Sequence, residues 1–176
     1  EAAEIKKALK IPVAVVGGFT CIEECEETLR EGLVDAVLIA KASIADMDIV
    51  TKAMRGKAGE IRPCLRCYHC CDGPSVGGEL RCSVNPVAGR ETRYGEIYPS
   101  PNPRTVMVVG GGPAGMMATQ TLRKRGHTVA LYEAGNRLGG RLYEASALYC
   151  KDTSRKYIQW DIDETERSGA AIHLNT

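Results

Sequence analysis

Five of the eight cysteines, Cys64, Cys67, Cys70, Cys71 and Cys82, fall within nineteen residues. The same stretch carries Gly73-Pro74 and Gly77-Gly78 and shows no apolar period. Such a segment cannot be ordered by a hydrophobic core and needs something else to hold it. On both sides the sequence returns to apolar strands alternating with amphipathic helices. The chain therefore has to fold as α/β pieces joined by an irregular connector. The α/β flanks argue against a secreted disulfide scaffold, so the cysteines read as a metal site in a reducing cytoplasm. Cys21, Cys25 and Cys150 read as ordinary cysteines. Cys21 and Cys25 stand four apart on a helix with no third ligand nearby.

At 176 residues the chain can hold one domain or parts of two. A net charge of +1 argues neither for nor against any partner, and nothing in the sequence suggests a nucleic-acid surface. No apolar run reaches membrane-spanning length, and no signal peptide is present. The first residue is Glu, and the chain opens partway into a helix, as an internal fragment would.

Three parts follow from the patterning. In residues 1–60, Glu1–Leu9 reads as the end of a helix and Val13–Val16 as a buried strand ending in Gly17-Gly18. Thr20 and Glu23 have capping-box spacing, which predicts a helix from Cys21 to near Gly32. Ala36–Ile39 reads as the next buried strand, and Asp46 as the cap of a helix running to about Arg55. This is a parallel βαβ pattern. Residues 61–104 are the irregular four-cysteine connector. Residues 105–176 return to βαβ, with strands Thr105–Val109, Thr128–Tyr132 and Ala171–Leu174 and helices Pro113–Arg125 and Lys151–Ser168.

Gly110-Gly111-Gly112-Pro113-Ala114-Gly115 fits G-x-G-x-x-G between a strand and a helix. In this pattern Gly110 allows the tight turn, Gly112 lets the backbone approach a pyrophosphate, and Gly115 lets the helix pack on the strand. The helix N-terminus offers free N–H groups and partial positive charge. Glu133, at the end of the next strand, is placed to accept hydrogen bonds from a ribose. With these parts in order a dinucleotide site outweighs a structural glycine turn. In the first part, Gly17-Gly18 and Ala40-Lys41 each follow a strand, as phosphate loops do in βα barrels. The residues alone leave this open against two βα units that merely pack. Two units cannot close a barrel, so that reading requires six more.

The cysteine spacing is C-x2-C-x3-C-x10-C through Cys71, or C-x2-C-x2-C-x11-C through Cys70. Thiolates so placed suit zinc or an iron–sulfur cluster. Zinc sites more often use two separated C-x2-C pairs, so the spacing favours a four-iron cluster. His69 reads as a neighbouring loop residue rather than a ligand.

Together, Val-Val-Gly-Gly-Phe, Ala-Lys-Ala-Ser-Ile-Ala-Asp, Ile-Arg-Pro-Cys-Leu-Arg-Cys, Cys-Ser-Val-Asn-Pro and Val-Val-Gly-Gly-Gly-Pro-Ala-Gly resemble the NADH:flavin oxidoreductases. These include relatives of 2,4-dienoyl-CoA reductase, 2-enoate reductase and trimethylamine dehydrogenase. The run Glu133-x-x-x-Arg137-Leu138-Gly139-Gly140-Arg141 is similar to the FAD-binding domain of two-dinucleotide flavoproteins. The resemblance implies the C-terminal end of a TIM (β/α)8 barrel with FMN, an iron–sulfur connector, then the first part of a Rossmann-like FAD-binding domain. It implies Gly17, Gly18, Ala40 and Lys41 at the FMN phosphate. Relatives carry Arg where Lys41 stands, and lysine lacks the planar fork. Cys64, Cys67, Cys71 and Cys82 would bind a 4Fe-4S cluster, with Cys70 open as the third ligand because the trimethylamine dehydrogenase branch uses the tighter spacing. Gly110, Gly112, Pro113, Ala114, Gly115, Glu133, Arg141 and Lys151 would contact FAD.

The implied activity passes electrons from NAD(P)H to FAD, through the cluster to FMN, and on to an activated C=C bond. In the trimethylamine dehydrogenase branch the flow runs outward from substrate. The implied partners are a small-molecule substrate, NAD(P)H and, in a homo-oligomer, further copies of the chain, in the cytoplasm, with no nucleic acid and no membrane. By the same resemblance the catalytic acid lies in earlier strands. Tyr68, Tyr143 and His127 read as surface or packing residues, so no residue here is assigned to catalysis. The competing reading is a non-catalytic module, with zinc holding a connector between two nucleotide- or partner-binding lobes.

Overall fold

A computed structural model describes all 176 residues. They form two compact units, Glu1–Gly89 and Arg90–Thr176. The first unit holds α1 (Ala2–Ala8), β1 (Ala14–Val16), α2 (Ile22–Arg30), β2 (Ala36–Leu38), α3 (Lys41–Ala45), α4 (Ile49–Met54), a 3-10 turn at Ala58–Glu60 and α5 (His69–Ser75). β1 and β2 pair in parallel, with Ala14 opposite Ala36 and Val16 opposite Leu38. Gly17-Gly18 and Ala40-Lys41 therefore leave the same edge of one small sheet. The unit's interior is built from Cys25, Val34, Ala42, Ala45, Ile49, Cys64, Val84 and Ala88, all buried. All five clustered cysteines belong to this unit.

The second unit holds α6 (Glu91–Tyr94), β3 (Thr105–Val109), α7 (Pro113–Lys124), β4 (Thr128–Glu133), α8 (Leu142–Ala145), α9 (Asp152–Arg167) and β5 (Ala171–Leu174). The strands form a parallel sheet in the order β3-β4-β5. Val108, Leu131 and Ile172 point to one face and pack with Met116 of α7, Ile162 of α9 and Leu138. Met116 and Leu131 are fully buried. Gln120 of α7 joins α9 through a buried polar contact: its Nε2 donates to the Asp161 carbonyl at 3.2 Å, to Asp161 Oδ1 at 2.7 Å and to Thr165 Oγ1 at 3.0 Å. This is an α/β fold with parallel sheets.

Four local expectations are corrected. Cys21, not Thr20, is the N-cap of α2, and the glutamate that reaches back is Glu24, accepting the Thr20 N–H at 3.1 Å. The start has slipped by one residue, so Glu23 is out of place for a capping box. Asp46 does not head one helix to Arg55: it ends α3, and Asp48 precedes α4. The connector is not wholly irregular, since His69–Ser75 is helical. Finally, β1 and β2 are not buried on both faces. Each shows an alternation of exposed and half-buried residues, and Val16 and Leu38 are 67% and 51% exposed.

Candidate functional site: two phosphate turns and a cysteine segment

In the second unit, the three motif glycines meet three different physical demands. Gly110 sits at φ +99°, the left-handed side that a side chain resists. At Gly112, the residue before α7, an added Cβ would meet nothing within 4 Å. At Gly115 an added Cβ would lie 1.9 Å from the Gly110 carbonyl oxygen, so only glycine lets α7 lie this close to the turn after β3. Pro113 opens α7, where its missing N–H costs no hydrogen bond. Ala114 is exposed in the first turn.

Glu133 ends β4 and folds back on this turn. Its Oε2 accepts the Gly111 N–H at 2.6 Å, and its Oε1 accepts the Gly135 N–H at 2.6 Å. These two donors, Gly135 first, hold its carboxyl below the usual carboxylate range. Each oxygen keeps a lone pair for a further donor. The run after Glu133 closes the turn from the other side. The Gly139 N–H donates to the Gly111 carbonyl at 2.8 Å, Leu138 is buried, and a Cβ on Gly140 would approach Gly112 Cα to 3.1 Å. Arg141 and Lys151 stand exposed just before α8 and α9. Arg137 stacks its guanidinium 3.7 Å from the Tyr143 ring centre, and His127 Nδ1 accepts the Arg104 N–H at 3.0 Å. Both Tyr143 and His127 are thus occupied in packing.

In the first unit, Gly17 and Gly18 take φ +103° and +87°, exposed and with open space where a Cβ would stand. Ala40 precedes α3 and is exposed. Lys41 begins α3, but its ammonium sits 3.8 Å from the ring centre of Tyr68, in the cysteine segment. A hydrogen bond and the charge from Lys41 hold the Tyr68 phenol below its ordinary value.

The cysteine segment starts with Cys64 buried, Cys67 exposed, Cys70 half-buried, Cys71 exposed and Cys82 half-buried. Arg66 and Tyr68 both take left-handed backbone angles, φ 54° and 60°, although neither is glycine. Such strain persists only where surroundings over-determine it, and it gathers at ligand clamps. The Arg66 N–H points at Cys64 Sγ, 3.5 Å away. Burial pushes the Cys64 thiol up, and the Arg66 N–H pulls it back. Burial also pushes the Cys70 thiol up to about 11, helped by a hydrogen bond that its S–H shares with Cys71 and by the neighbouring Cys71, Cys82 and Cys64.

Tetrahedral zinc with Zn–S near 2.3 Å sets its sulfurs about 3.8 Å apart. No three Cys, His, Asp or Glu side chains here come together as a single ion requires. The only thiols that close are the adjacent Cys70 and Cys71, at 4.0 Å. The others are electrostatic neighbours at longer range: Cys64 senses Cys82 and Cys67, and Cys70 senses Cys82 and Cys64. Soft thiolates of this kind suit zinc or an iron–sulfur centre.

Two residues whose distant contacts the sequence does not reveal stand buried at the ends of this segment. Asp46 and Asn85 are 6% and 5% exposed and hydrogen-bonded across long sequence separations. The only signal for Asn85 was its place before Pro86, where a turn is favoured. Asp46 was noticed, but as a helix cap.

A glycine turn locked by a carboxylate, between a parallel strand and a helix, defines a nucleotide-binding protein of the Rossmann-like class. Residues 108–157 match the NAD(P)-binding Rossmann-like domain. Over 97% of its length the chain is 44% identical to an NADH oxidase of Thermoanaerobacter brockii and 31% identical to a cinnamate reductase of Clostridium sporogenes. It superposes on histamine dehydrogenase from Rhizobium sp. 4-9 with a TM-score of 0.93 at 29% identity, over 99% of its length. The chain spans 27%, 26% and 26% of those three proteins, about a quarter of each. These likenesses support an NADH:flavin oxidoreductase-like family.

Proposed function

We propose that the chain is the cofactor-bearing middle of an NAD(P)H-dependent flavin and iron–sulfur oxidoreductase that reduces an activated C=C bond of the enoate or dienoyl-CoA type. Relatives named NADH oxidase and cinnamate reductase support this reading. The observation that carries it is one chain order: an open double-glycine turn at a parallel strand edge, a spread of five thiols, then a carboxylate-locked glycine turn. When bound, the flavins would supply hydride chemistry and the cluster single-electron transfer between them.

The residues divide the work of holding those groups. Gly110, Gly112, Pro113, Ala114 and Gly115 would present the N-terminus of α7 to the FAD pyrophosphate, and Glu133 would accept from the ribose with its remaining lone pairs. Arg141 and Lys151 are exposed cations on the same unit. Gly17, Gly18 and Ala40 would meet the FMN phosphate through backbone N–H groups, as the end of a βα barrel does. Lys41 faces Tyr68, so this contact falls to backbone rather than side chain. Cys64, Cys67 and Cys82 would bind the 4Fe-4S cluster. The third ligand would be Cys71 by the wider spacing or Cys70 by the tighter one, and the two sulfurs lie 4.0 Å apart. A Cys70 ligand would match the tighter spacing of the amine dehydrogenase branch and would support, as a second reading, oxidation of a small amine.

Anaerobic purification with iron, sulfide and zinc analysis tests the proposal. The expected protein is brown, absorbs broadly near about 400 nm, and holds about four irons per chain. A colourless protein with one tightly held zinc would sink it. Loss of the cluster in Cys71→Ser but not in Cys70→Ser assigns Cys71 as the third ligand, and the reverse result assigns Cys70.

A further inference from the structure

We infer that Asp46 and Asn85 are positioning residues that hold both ends of the cysteine segment on α3, the helix that begins at Ala40-Lys41. The inference rests on the cysteines forming a metal centre. Asp46 Oδ2 accepts the Arg62 N–H at 2.8 Å and Lys52 Nζ at 2.6 Å, and its Oδ1 accepts the Asp48 N–H at 3.1 Å. Lys52 also donates to the Glu60 carbonyl at 3.0 Å, and Arg62 Nη1 to the Ala45 carbonyl at 3.3 Å. At the other end, Asn85 Nδ2 donates to the Ile44 carbonyl at 2.9 Å, and its Oδ1 accepts the Val87 N–H at 3.1 Å. Arg62 stands two residues before Cys64, and Asn85 three after Cys82. Consecutive residues Ile44, Ala45 and Asp46 thus grip the segment on either side of all five thiols. Lys41, at the first residue of α3, touches its middle through Tyr68 at 3.8 Å.

The physical consequence is preorganisation. A free loop of this length loses conformational entropy when its ends are brought together. Here protein hydrogen bonds set those ends before any ligand arrives, and both clamps are shielded from competing water. The thiols then differ from a fixed arrangement only by local adjustment. Because α3 also begins at Ala40-Lys41, the clamp sets the cysteine segment against the phosphate turn within one unit. Both residue types are specific. Asp46 receives three donors and offers none, which asparagine cannot copy. Asn85 must donate and accept at once, which aspartate cannot copy.

The test compares Asp46→Ala, Asn85→Ala and the surface control Lys57→Ala in the whole protein, purified anaerobically. For preparations that retain wild-type circular dichroism, iron release to a chelator should be about tenfold faster or more in the two clamp variants, the range for residues that support metal ligands. The paramagnetic resonance signature and reduction potential per bound cluster should also shift, which mere loss of stability would not cause. Unchanged release rate, signature and potential in a folded Asp46→Ala and Asn85→Ala overturn the inference. Should Asp46→Ala fail to fold, Lys52→Met and Asn85→Ala carry the same comparison. A wild-type protein without iron sinks the cluster reading instead. Hydrogen exchange then decides the clamp: protection across residues 62–85 must fall in the variants while that of α7 and α9 holds. Equal protection overturns it.

Discussion

Gly112→Ala separates a nucleotide site from a structural glycine turn. Gly112 has φ −76° and ψ 179°, angles that alanine adopts freely, and a methyl there meets no atom within 4 Å. Two stability effects oppose each other. Alanine restricts the unfolded chain, a gain of about 0.4–1 kcal/mol. It is also a poorer N-cap than glycine, a loss of up to about 1 kcal/mol. The net lies within about 1 kcal/mol of zero, so Tm should move by less than about 8 °C for a unit of this size. Binding should respond differently, because the methyl fills the space through which the backbone would approach a pyrophosphate. Losing one charge-assisted hydrogen bond costs about 1.5–3 kcal/mol, or about ten- to hundredfold in Kd. Gly115→Ala provides the contrast. Its methyl would lie 1.9 Å from the Gly110 oxygen, so α7 must lift away from β3. It should destabilise by about 3 kcal/mol or more. Thermal melts and FAD titrations on the same preparations decide the matter. Undiminished FAD affinity in Gly112→Ala, or an unchanged melt in Gly115→Ala, refutes the reasoning.

Three other outcomes follow from contacts in the second unit. Glu133→Gln should cost about 1–2 kcal/mol at neutral pH, toward the low end because the group is partly exposed. The carboxyl is held below its usual range, so its contribution is complete above about pH 4.3 and is lost as pH falls through the lowered folded value. The Tm gap between wild type and variant should therefore close in acid, and a gap that stays constant into acid contradicts the assignment. Gln120→Leu withdraws a donor from the buried Asp161 carboxylate and should lose about 2–4 kcal/mol in chemical denaturation; a loss under about 0.5 kcal/mol would show the contact to be incidental. Leu131→Ala empties a site with no exposure at the centre of the core and should lose about 2–5 kcal/mol, whereas a near-neutral result would mean the sheet repacks.

What could be read from the sequence was whatever depends on residue type at a short spacing. The turn at Gly110–Gly115 is of that kind, since tight turn, close approach and close packing each need a missing side chain. The strands and long helices of the second unit are too, to within a residue or two. What escaped depends on distant partners or small local shifts. His69–Ser75 was unreadable as a helix because it contains two cysteines, a glycine and a proline. Its first turn is set instead by the left-handed Tyr68, whose carbonyl accepts the Cys71 N–H at 2.8 Å. Asp46 looks like a helix cap because its main partner is a backbone N–H sixteen residues on, and any residue has one. Thr20 and Glu23 satisfy a capping box on paper, yet a one-residue slip hands the role to Glu24.

The two proposed phosphate turns are unequal for a physical reason. In the second unit the turn is complete in itself. Glu133 fixes Gly111, Leu138 is buried beneath, and Gly139 bonds back to Gly111, so the N-terminus of α7 is already in place. A dinucleotide would meet a site that needs little reorganisation, which is where affinity is conserved. In the first unit Gly17 and Gly18 lie open, Lys41 is turned onto Tyr68, and Val16 and Leu38 face outward from the strands that carry the turns. Half-exposed parallel strands of this kind are stable when another layer covers them. The second turn should therefore bind nucleotide on its own unit, while the first should gain phosphate affinity only when β1 and β2 are covered. FAD affinity that survives when the first unit's strands are disrupted, with FMN affinity lost, is the pattern this difference requires.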